Sequence, residues 1–498
     1  MHCTLCGQPT LDANSFCQDC SAALSAQGGD AENLFRRTDA TRLLSAACYL
    51  NPIFRSEVYE NYVEARYKAI APSFGLNLAV VVRHCADARR RAFVRNLFVT
   101  ALVLACLLLT QVSVSLAISS LVMGLFLISL FWELHLFNLI RKHLTKQNFD
   151  PEALGRQYDQ KLGHLRENGA GNLIVYSGFN PFVGSGVTLN SWNFCVDVQK
   201  GKEFGGIRSK AQAFTIPEAY EAIGSAVSLL GLRNCSIADE IHISGKDVRH
   251  NSRFLPRPLS RPVNSVEPDL IREGLRPFTR SRHYRCVRVV DWSGDLVISF
   301  FFRIAGCGHS IFVEGSTHLV TPIEDLNRTV EHLYTEISLL QIAKRIAYAV
   351  AWSFVYVWWS PANVLYRLIH PVYRFFGNLL QDWLISEDLA FDYGATKSLR
   401  EMAAGSFLYR RYGQKLDGDM TQKILEQTAL DALVAFLDEH GVDTSDLKER
   451  ETTLLNNGVI MSGGKINAEA FSVGSGARSI MSKIRRNRKK AAAAGIAA

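Results

Sequence analysis

The chain has 498 residues, 48% of them apolar and 10% aromatic, with a formal charge of +8. This much apolar and aromatic surface excludes a largely disordered chain, and the length suffices for two or three separately cored domains. The charge is segregated: Arg249 to Arg288 holds ten arginines against Glu267, Asp269 and Glu273, Arg478 to Lys490 holds seven basic residues and no acid, and the remainder is net negative.

The first element is a cysteine module. Cys3, Cys6, Cys17 and Cys20 form C-x2-C-x10-C-x2-C, and Gly7 permits the close backbone turn of a knuckle. Two such knuckles present four thiolates to one tetrahedral Zn2+, and an all-thiolate set leaves no position for water, so the expected zinc is structural. The stretch CTLCGQPTLDANSFCQDC resembles the short zinc ribbon at the start of many bacterial membrane proteins, which bounds this module at residues 1–25. The other seven cysteines are scattered and suit reduced thiols in the cytosol. The polar N-terminus lacks the apolar core of a signal peptide and is expected on the cytosolic side.

Residues 33–95 read as an amphipathic helical segment, with Leu43, Leu44, Ala47 and Leu50, then Val58, Tyr62 and Ala65, at helical spacings. From Asn96 to Trp132 the chain then runs for 37 residues without a charged side chain. One helix of that length would measure about 55 Å against a hydrocarbon core of roughly 30 Å, so two spans with a tight turn fit better. Thr110, Gln111, Ser113, Ser115, Ser119 and Ser120 place the turn within Thr110 to Ser120. Arg83, Arg89, Arg90, Arg91 and Arg95 precede the run, and Arg141, Lys142 and Lys146 follow it. The positive-inside rule therefore expects an inner-membrane, two-span hairpin over 96–140, with both flanks and both termini cytoplasmic.

Phe149 to Asn168 reads as a polar helix, and residues 150–322 as a cytosolic, mainly antiparallel α+β domain. Leu173 to Tyr176, Val187 to Val198, Ser236 to Ile243, Tyr284 to Val290, Leu296 to Ile304 and Ser310 to Leu319 are its strands, and a helix opens at Ile216-Pro217-Glu218. Strands in meander order with few helices between them favour an antiparallel arrangement. Residues 323–385 form an aromatic segment with Tyr348, Trp352, Phe354, Tyr356, Trp358 and Trp359. Pro361 is expected to interrupt it, and a crossing would place the basic tail outside, so the segment is expected to lie in the cytoplasmic interface or to be buried, with a third span over residues 346–366 as the alternative. Residues 386–455 are helical, with one helix from about Met420 to His440, and residues 456–498 are a glycine-rich segment and polybasic tail.

The sequence offers little catalytic chemistry. SGFNPFVGSG (residues 177–186) has phosphate-loop glycines but neither the Gly-Lys-Ser/Thr ending nor a following helix, so a packed connector is expected, with Phe179, Phe182 and Val183 buried or touching lipid. Cys307 and His309, two apart, would share a face of a strand but have no orienting partner. His84 with Cys85 reads as structural. Carboxylate pairs, H-E-x-x-H and G-x-S-x-G are not recognisable. Arg272, Arg276, Arg280, Arg282 and Arg285 are candidates for an anion or lipid-headgroup contact. So are Lys483, Arg485, Arg486, Arg488, Lys489 and Lys490, since basic residues near an anionic inner leaflet gain about 1 kcal/mol each. Nucleic acid is disfavoured because no base-stacking aromatics are interleaved with the tail.

The segments at residues 48–91 (CYLNPIFRSEVYENYVEARYKAIAPSFGLNLAVVVRHCADARRR), 176–186 (YSGFNPFVGSG), 283–303 (HYRCVRVVDWSGDLVISFFFR) and 430–458 (LDALVAFLDEHGVDTSDLKERETTLLNNG), with the final SGG to VGSGA stretch, resemble uncharacterised bacterial membrane proteins best represented in actinobacteria. That resemblance implies a two-span membrane protein with cytosolic domains and brings no established activity. The stretch from Asn456 to Ala477 also resembles glycine-rich segments appended to bacterial signalling and immunity proteins. The leading expectation is a membrane-anchored scaffold, sensor or partner-binding protein that meets anionic lipid, with a protein partner or self-association left open. The alternatives are a membrane-disrupting effector of immunity or stress, and a membrane-bound enzyme acting on lipid or nucleotide.

Overall fold

The computed structural model describes residues 38–158, 162, 165, 171–204, 207–208, 210–232, 234–332, 339–387, 391–445 and 447–448. The four cysteines of the expected zinc ribbon, the glycine-rich segment and the basic tail lie outside the described residues. The chain divides into two compact units. One comprises Met1–Val187, Arg233–Ser299 and His318–Leu416, the other Thr188–Leu232, Phe300–Thr317 and Asp417–Ala498.

In the first unit the helices begin where side chains can cap them. The Thr38 hydroxyl accepts from the Thr41 amide to open α1 (Asp39–Leu50). Asn51 ends α1 and opens α2 (Pro52–Val58): its side-chain oxygen accepts from the amides of Ile53 and Phe54, and Pro52 takes the first position, where no N–H is needed. α2 passes into a π-helical turn, Tyr59–Glu64. Asn77 caps α3 (Leu78–Leu109) and Ser113 caps α4 (Val114–His143). The connection is therefore confined to residues 110–113, and Ser115, Ser119 and Ser120, expected within the turn, are helical.

Both α3 and α4 are long and apolar enough to cross a membrane, with windows of mean hydropathy 2.2 and 2.3 of which only 17% is buried. A helix at the centre of a soluble domain would be mostly covered. The burial is polarised along the pair. At its base Val81, Val82 and Cys85 of α3 and Ile140 of α4 join Leu43, Leu44, Leu144 and Val330 in one core. Toward the turn Leu104, Leu107, Leu108, Val112, Val114 and Leu116 are exposed.

The aromatic segment is organised differently from expectation. Pro268–Gly274 is a short helix, α6, Asp325–His332 is a 3-10 helix, and Leu339–Ser386 is one helix, α7, of 48 residues that continues through Pro361 and Pro371. It packs on both α3 and α4, burying Tyr356 with Val99 and Leu125. The polar helix expected from Phe149 is absent among the described residues up to 158, which form turns and a short 3-10 helix at Arg156–Tyr158.

The sheet has six strands in the order β1-β5-β6-β7-β8-β2. These are β1 (Leu173–Tyr176), β2 (Val187–Asp197), β5 (Cys235–Ser244), β6 (Arg282–Asp291), β7 (Leu296–Cys307) and β8 (Ser310–Val320), while β3 (Glu203–Phe204) pairs with β4 (Ile207–Arg208). β5 and β6 are antiparallel with Asp239 opposite Arg285, whereas β1 joins β5 in parallel, with Leu173 opposite Ile241. β6–β7 and β7–β8 are joined by connections too short for a parallel crossover. The expected α+β class stands, with β1 as a parallel edge.

In the second unit α5 (Ile216–Leu229) starts with a Thr215/Glu218 capping box, and its Tyr220 stacks on Phe302 at 5.4 Å while its hydroxyl accepts from the Ile304 amide. The helix expected from Met420 starts earlier, as α9 (Tyr412–Glu439); its buried Glu426 accepts from Asn190 and Thr317.

Gly124 of α4 faces Leu102 of α3, where an added Cβ would lie 2.7 Å from the leucine methyl. Small residues at such a crossing let two helices approach closely. Gly124→Phe should lower the melting temperature of the detergent-solubilised protein well below that of Gly124→Ala, which Leu102 can accommodate by a rotamer shift; equal melting would remove the close approach.

Candidate functional site

The loop SGFNPFVGSG connects β1 to β2 and depends on backbone conformations that glycine supplies, with φ of +96° at Gly184 and +84° at Gly186. A Cβ at Gly186 would lie 2.2 Å from the Leu319 carbonyl oxygen. The amides of Gly184 and Gly186 both donate to Glu401 Oε1 at 3.0 Å, and Glu401 Oε2 accepts from the Ser398 amide at 2.7 Å, capping the short helix α8 (Leu399–Met402). The loop does cradle an anion, with the amides of two glycines separated by one residue. That anion is the chain's own carboxylate, so the loop is a packed connector.

The same loop is pinned to the sheet. Phe182 is buried, with ring centroids 5.6 Å from His242, 5.1 Å from Tyr284 and 4.5 Å from His318. His242 Nδ1 lies 2.9 Å from the Pro181 carbonyl oxygen, and Nε2 lies 3.3 Å from Glu240 Oε2. Strand alternation puts Glu240 and His242 on one face of β5. There Glu240 Oε1 accepts from Arg288 at 3.0 Å, and Arg288 also donates to Ser299 and Cys286 beneath the Phe74 ring. On the other face Asp239 takes two hydrogen bonds from Arg285, at 2.8 and 3.0 Å, and lies 2.9 Å from His283 Nε2. Burial pushes the Glu240 carboxyl up, but the Arg288 charge and the His242 contact outweigh it and hold the group down at about 2. Burial likewise acts against Asp239, and His283 and Arg285 bring it well below the usual carboxylate range. This is an ion-paired, buried network suited to fixing the loop and strands in place. Nearby, a cavity of about 20 Å3 lined by Ala69, Ile70, Pro72, Leu173 and Pro262 has room for about one water.

A second polar cluster sits where α7 crosses the hairpin. Asn96, the first residue of the uncharged run and 3% exposed, donates to Asn363 Oδ1 at 3.1 Å and accepts from Ser360 at 3.4 Å. Arg95 donates to the Tyr356 hydroxyl at 2.8 Å and stacks over that ring, and Ser353 bonds Ser129 at 3.1 Å. Three helices are thus joined by hydrogen bonds at the level where charge gives way to apolar surface.

The arginines singled out from the sequence do not converge. Arg272 pairs with Asp269, Arg280 with Asp247 and Arg285 with Asp239, while Arg276 and Arg282 are exposed. The tail residues Lys483 to Lys490 lie outside the described residues. Cys307 ends β7 and His309 follows Gly308 in the turn, so the two do not share a strand face as expected. His84 and Cys85 are buried, the imidazole against Tyr49 and the thiol donating to the Arg55 carbonyl. Among the described residues no group of three or more His, Cys, Asp or Glu side chains is placed to hold a metal ion. The Glu240–Arg288 pair, Glu401 and the Asn96 cluster escaped the sequence, because each joins residues far apart in the chain.

The family model of the AbeC-like domain matches residues 191–467, more than half of the chain. No match is found among curated proteins or among solved structures.

A carboxylate with a depressed folded-state pKa contributes stability that is complete above its unfolded value, near 4.3, and is lost as pH falls through the folded value. The wild type should therefore lose stability progressively from about pH 4.3 toward about pH 2 as Glu240 protonates. Glu240→Gln should cost about 3 kcal/mol at neutral pH, by leaving Arg288 without its counter-charge, and flatten that acid limb. Thermal melts across this range check both; an unchanged acid limb would show that Glu240 is not the titrating group.

Proposed function

The chain belongs to the AbeC-like domain family, and we propose that it is a membrane-anchored protein whose α+β units lie on the cytoplasmic side. There it acts as a scaffold, sensor or partner-binding protein at the inner leaflet. One observation carries the reading: a hairpin rooted in a protein core projects apolar side chains, and α7 lies across its polar end with its aromatic side chains exposed. Trp358 is 83% exposed, Tyr373 75% and Phe354 72%. Exposed apolar residues recur from Ile346 to Trp383, about 55 Å of helix, nearly twice a hydrocarbon core of roughly 30 Å. Such a stripe fits the plane of the interface better than a single crossing. The opposite face of α7 hydrogen-bonds to protein through Asn363, Arg367, Arg374 and Asp382. The basic flanks of the hairpin support a cytoplasmic placement of both ends.

The zinc module is part of the proposal. Cys3, Cys6, Cys17 and Cys20 would hold one structural Zn2+, whose chemistry there is to cross-link the short segment.

Two measurements test these statements. The protein should stay in the membrane fraction after alkaline carbonate extraction, and tags at both termini should be cleaved by protease only in inverted vesicles. Release into the soluble fraction, or cleavage in spheroplasts, would reject the placement. Purified full-length protein should carry one zinc per chain by elemental mass spectrometry, and Cys3→Ser with Cys17→Ser should abolish it; a metal-free wild type would sink the ribbon.

A further inference from the structure

We infer that Arg55, Arg89, Arg367 and Arg374 form a binding site for a phosphate-bearing anion, at the junction of α2, the π-turn, α3 and α7. Arg374 at 3.3 Å and Arg89 at 3.5 Å share Glu64 Oε1 there, among the described residues the one carboxylate that ion-pairs with the four, and the charges of Arg89 and Arg55 both act on Arg367. The other contacts of the group are neutral. Arg367 donates to the Arg89 carbonyl at 3.3 Å and lies over the Phe93 ring, Arg89 lies over the Tyr59 ring at 3.7 Å, and Arg55 donates to the Cys48 carbonyl at 3.3 Å. The remaining nearby carboxylates of this segment are turned elsewhere, Glu57 and Glu60 to solvent and Asp87 to Arg91 and Tyr49.

The excess positive charge is felt inside the cluster. Burial, together with the charges of Arg89 and Arg55, lowers Arg367 to about 10; burial, with Arg95 and Arg89, also lowers Arg55. Collecting cations in a partly desolvated site is unfavourable unless an anion completes it, and guanidinium forks match phosphate oxygens in pairs. The Arg89 and Arg374 side chains keep 20% and 30% of their surface exposed, so such an anion can reach them.

The position indicates which phosphate. Arg89 precedes the uncharged run of α3 by seven residues, and Leu365, Leu368, Ile369 and Tyr373 of α7 beside Arg367 are all exposed. A cation cluster at that depth lies where lipid phosphates lie, if the membrane placement proposed above holds. Free phosphate offers the same chemistry.

The test uses full-length protein in maltoside micelles, which contain no phosphate, followed by native mass spectrometry and thermal melting. Wild type should retain added phosphatidylglycerol and melt at higher temperature. Arg89→Gln with Arg367→Gln should weaken retention about fivefold per arginine removed. Without lipid the double variant should still unfold in one cooperative transition, so that its loss of lipid retention is read on a folded protein. Should that variant not fold, Arg374→Gln alone serves. Stabilisation by sodium phosphate without lipid would assign the site to a soluble anion, and stabilisation by phosphatidylglycerol alone would assign the headgroup. Equal retention by wild type and variant, or no response of wild type to either addition, would overturn the inference. Both chains carry the same basic tail, so its contribution cancels. Failure of the membrane placement would appear separately, in carbonate extraction.

Discussion

The packing of the lower turns of α3 and α4 around α1 is the constraint on which the first unit depends. Val81, Val82, Cys85 and Ile140 are at most 1% exposed, in one core with Leu43 and Leu44. Without that root the two apolar helices would have each other for company but no fixed direction. With it, the same helices change from protein-facing at one end to exposed at the other within a few turns. α7 can then be held at one height, because Asn96 and Ser129 present hydrogen-bonding groups at a fixed level of a rigid pair. Polar side chains are costly where they meet hydrocarbon, so their partners across the crossing select one docking position for α7.

Charge is handled in the same way inside the sheet. Burying Glu240 or Arg288 alone would cost several kcal/mol, and removing one partner would expose the whole penalty. The network avoids this by giving Arg288 a carboxylate, a hydroxyl and an aromatic face at once. Glu401 follows the same rule with three backbone amides. In both places the charge fixes irregular backbone: the loop from Ser177 to Gly186 is tied at Pro181 through His242 and at Gly184 and Gly186 through Glu401. These ties explain why a glycine-rich, turn-rich connector carries buried Phe182 and Val183 while Phe179 is left wholly exposed.

What could be read in the chain follows the reach of each signal. The uncharged run and its basic flanks are local, and α3 and α4 cover that run, but α3 begins at Leu78, 18 residues before it, within the stretch expected to be a separate amphipathic segment. The strand segments were legible from alternation, yet the parallel pairing of β1 was not, since register between distant strands leaves no trace in either one. Pro361 illustrates a local rule overridden. A proline removes one hydrogen bond and crowds the preceding turn, but α7 is held along its length by α3, α4 and the Glu64 contact, so the helix persists. The arginine-rich connection stands out in sequence because its charges are close along the chain, although Asp269, Asp247 and Asp239 neutralise part of it locally.

The cluster at Glu64 is the converse case. Of Arg55, Arg89, Arg367 and Arg374 only Arg89 stands out in sequence, as part of the basic flank of the hairpin; the four are spread over more than 300 residues and come together only when α2, α3 and α7 meet. The geometry that brings them together is the same crossing that leaves the aromatic face of α7 exposed. The two features are therefore coupled by the helix itself: rotating α7 to bury its aromatics would carry Arg367 and Arg374 away from Glu64 and the α3 backbone. A surface that pairs exposed aromatic rings with recessed guanidinium groups has the two halves of an interfacial phospholipid contact, apolar toward the acyl chains and cationic toward the phosphate. Each half alone has ordinary explanations; the proposal of a lipid contact rests on the aromatic face, Arg367 and Arg374 being held at a fixed spacing on one helix.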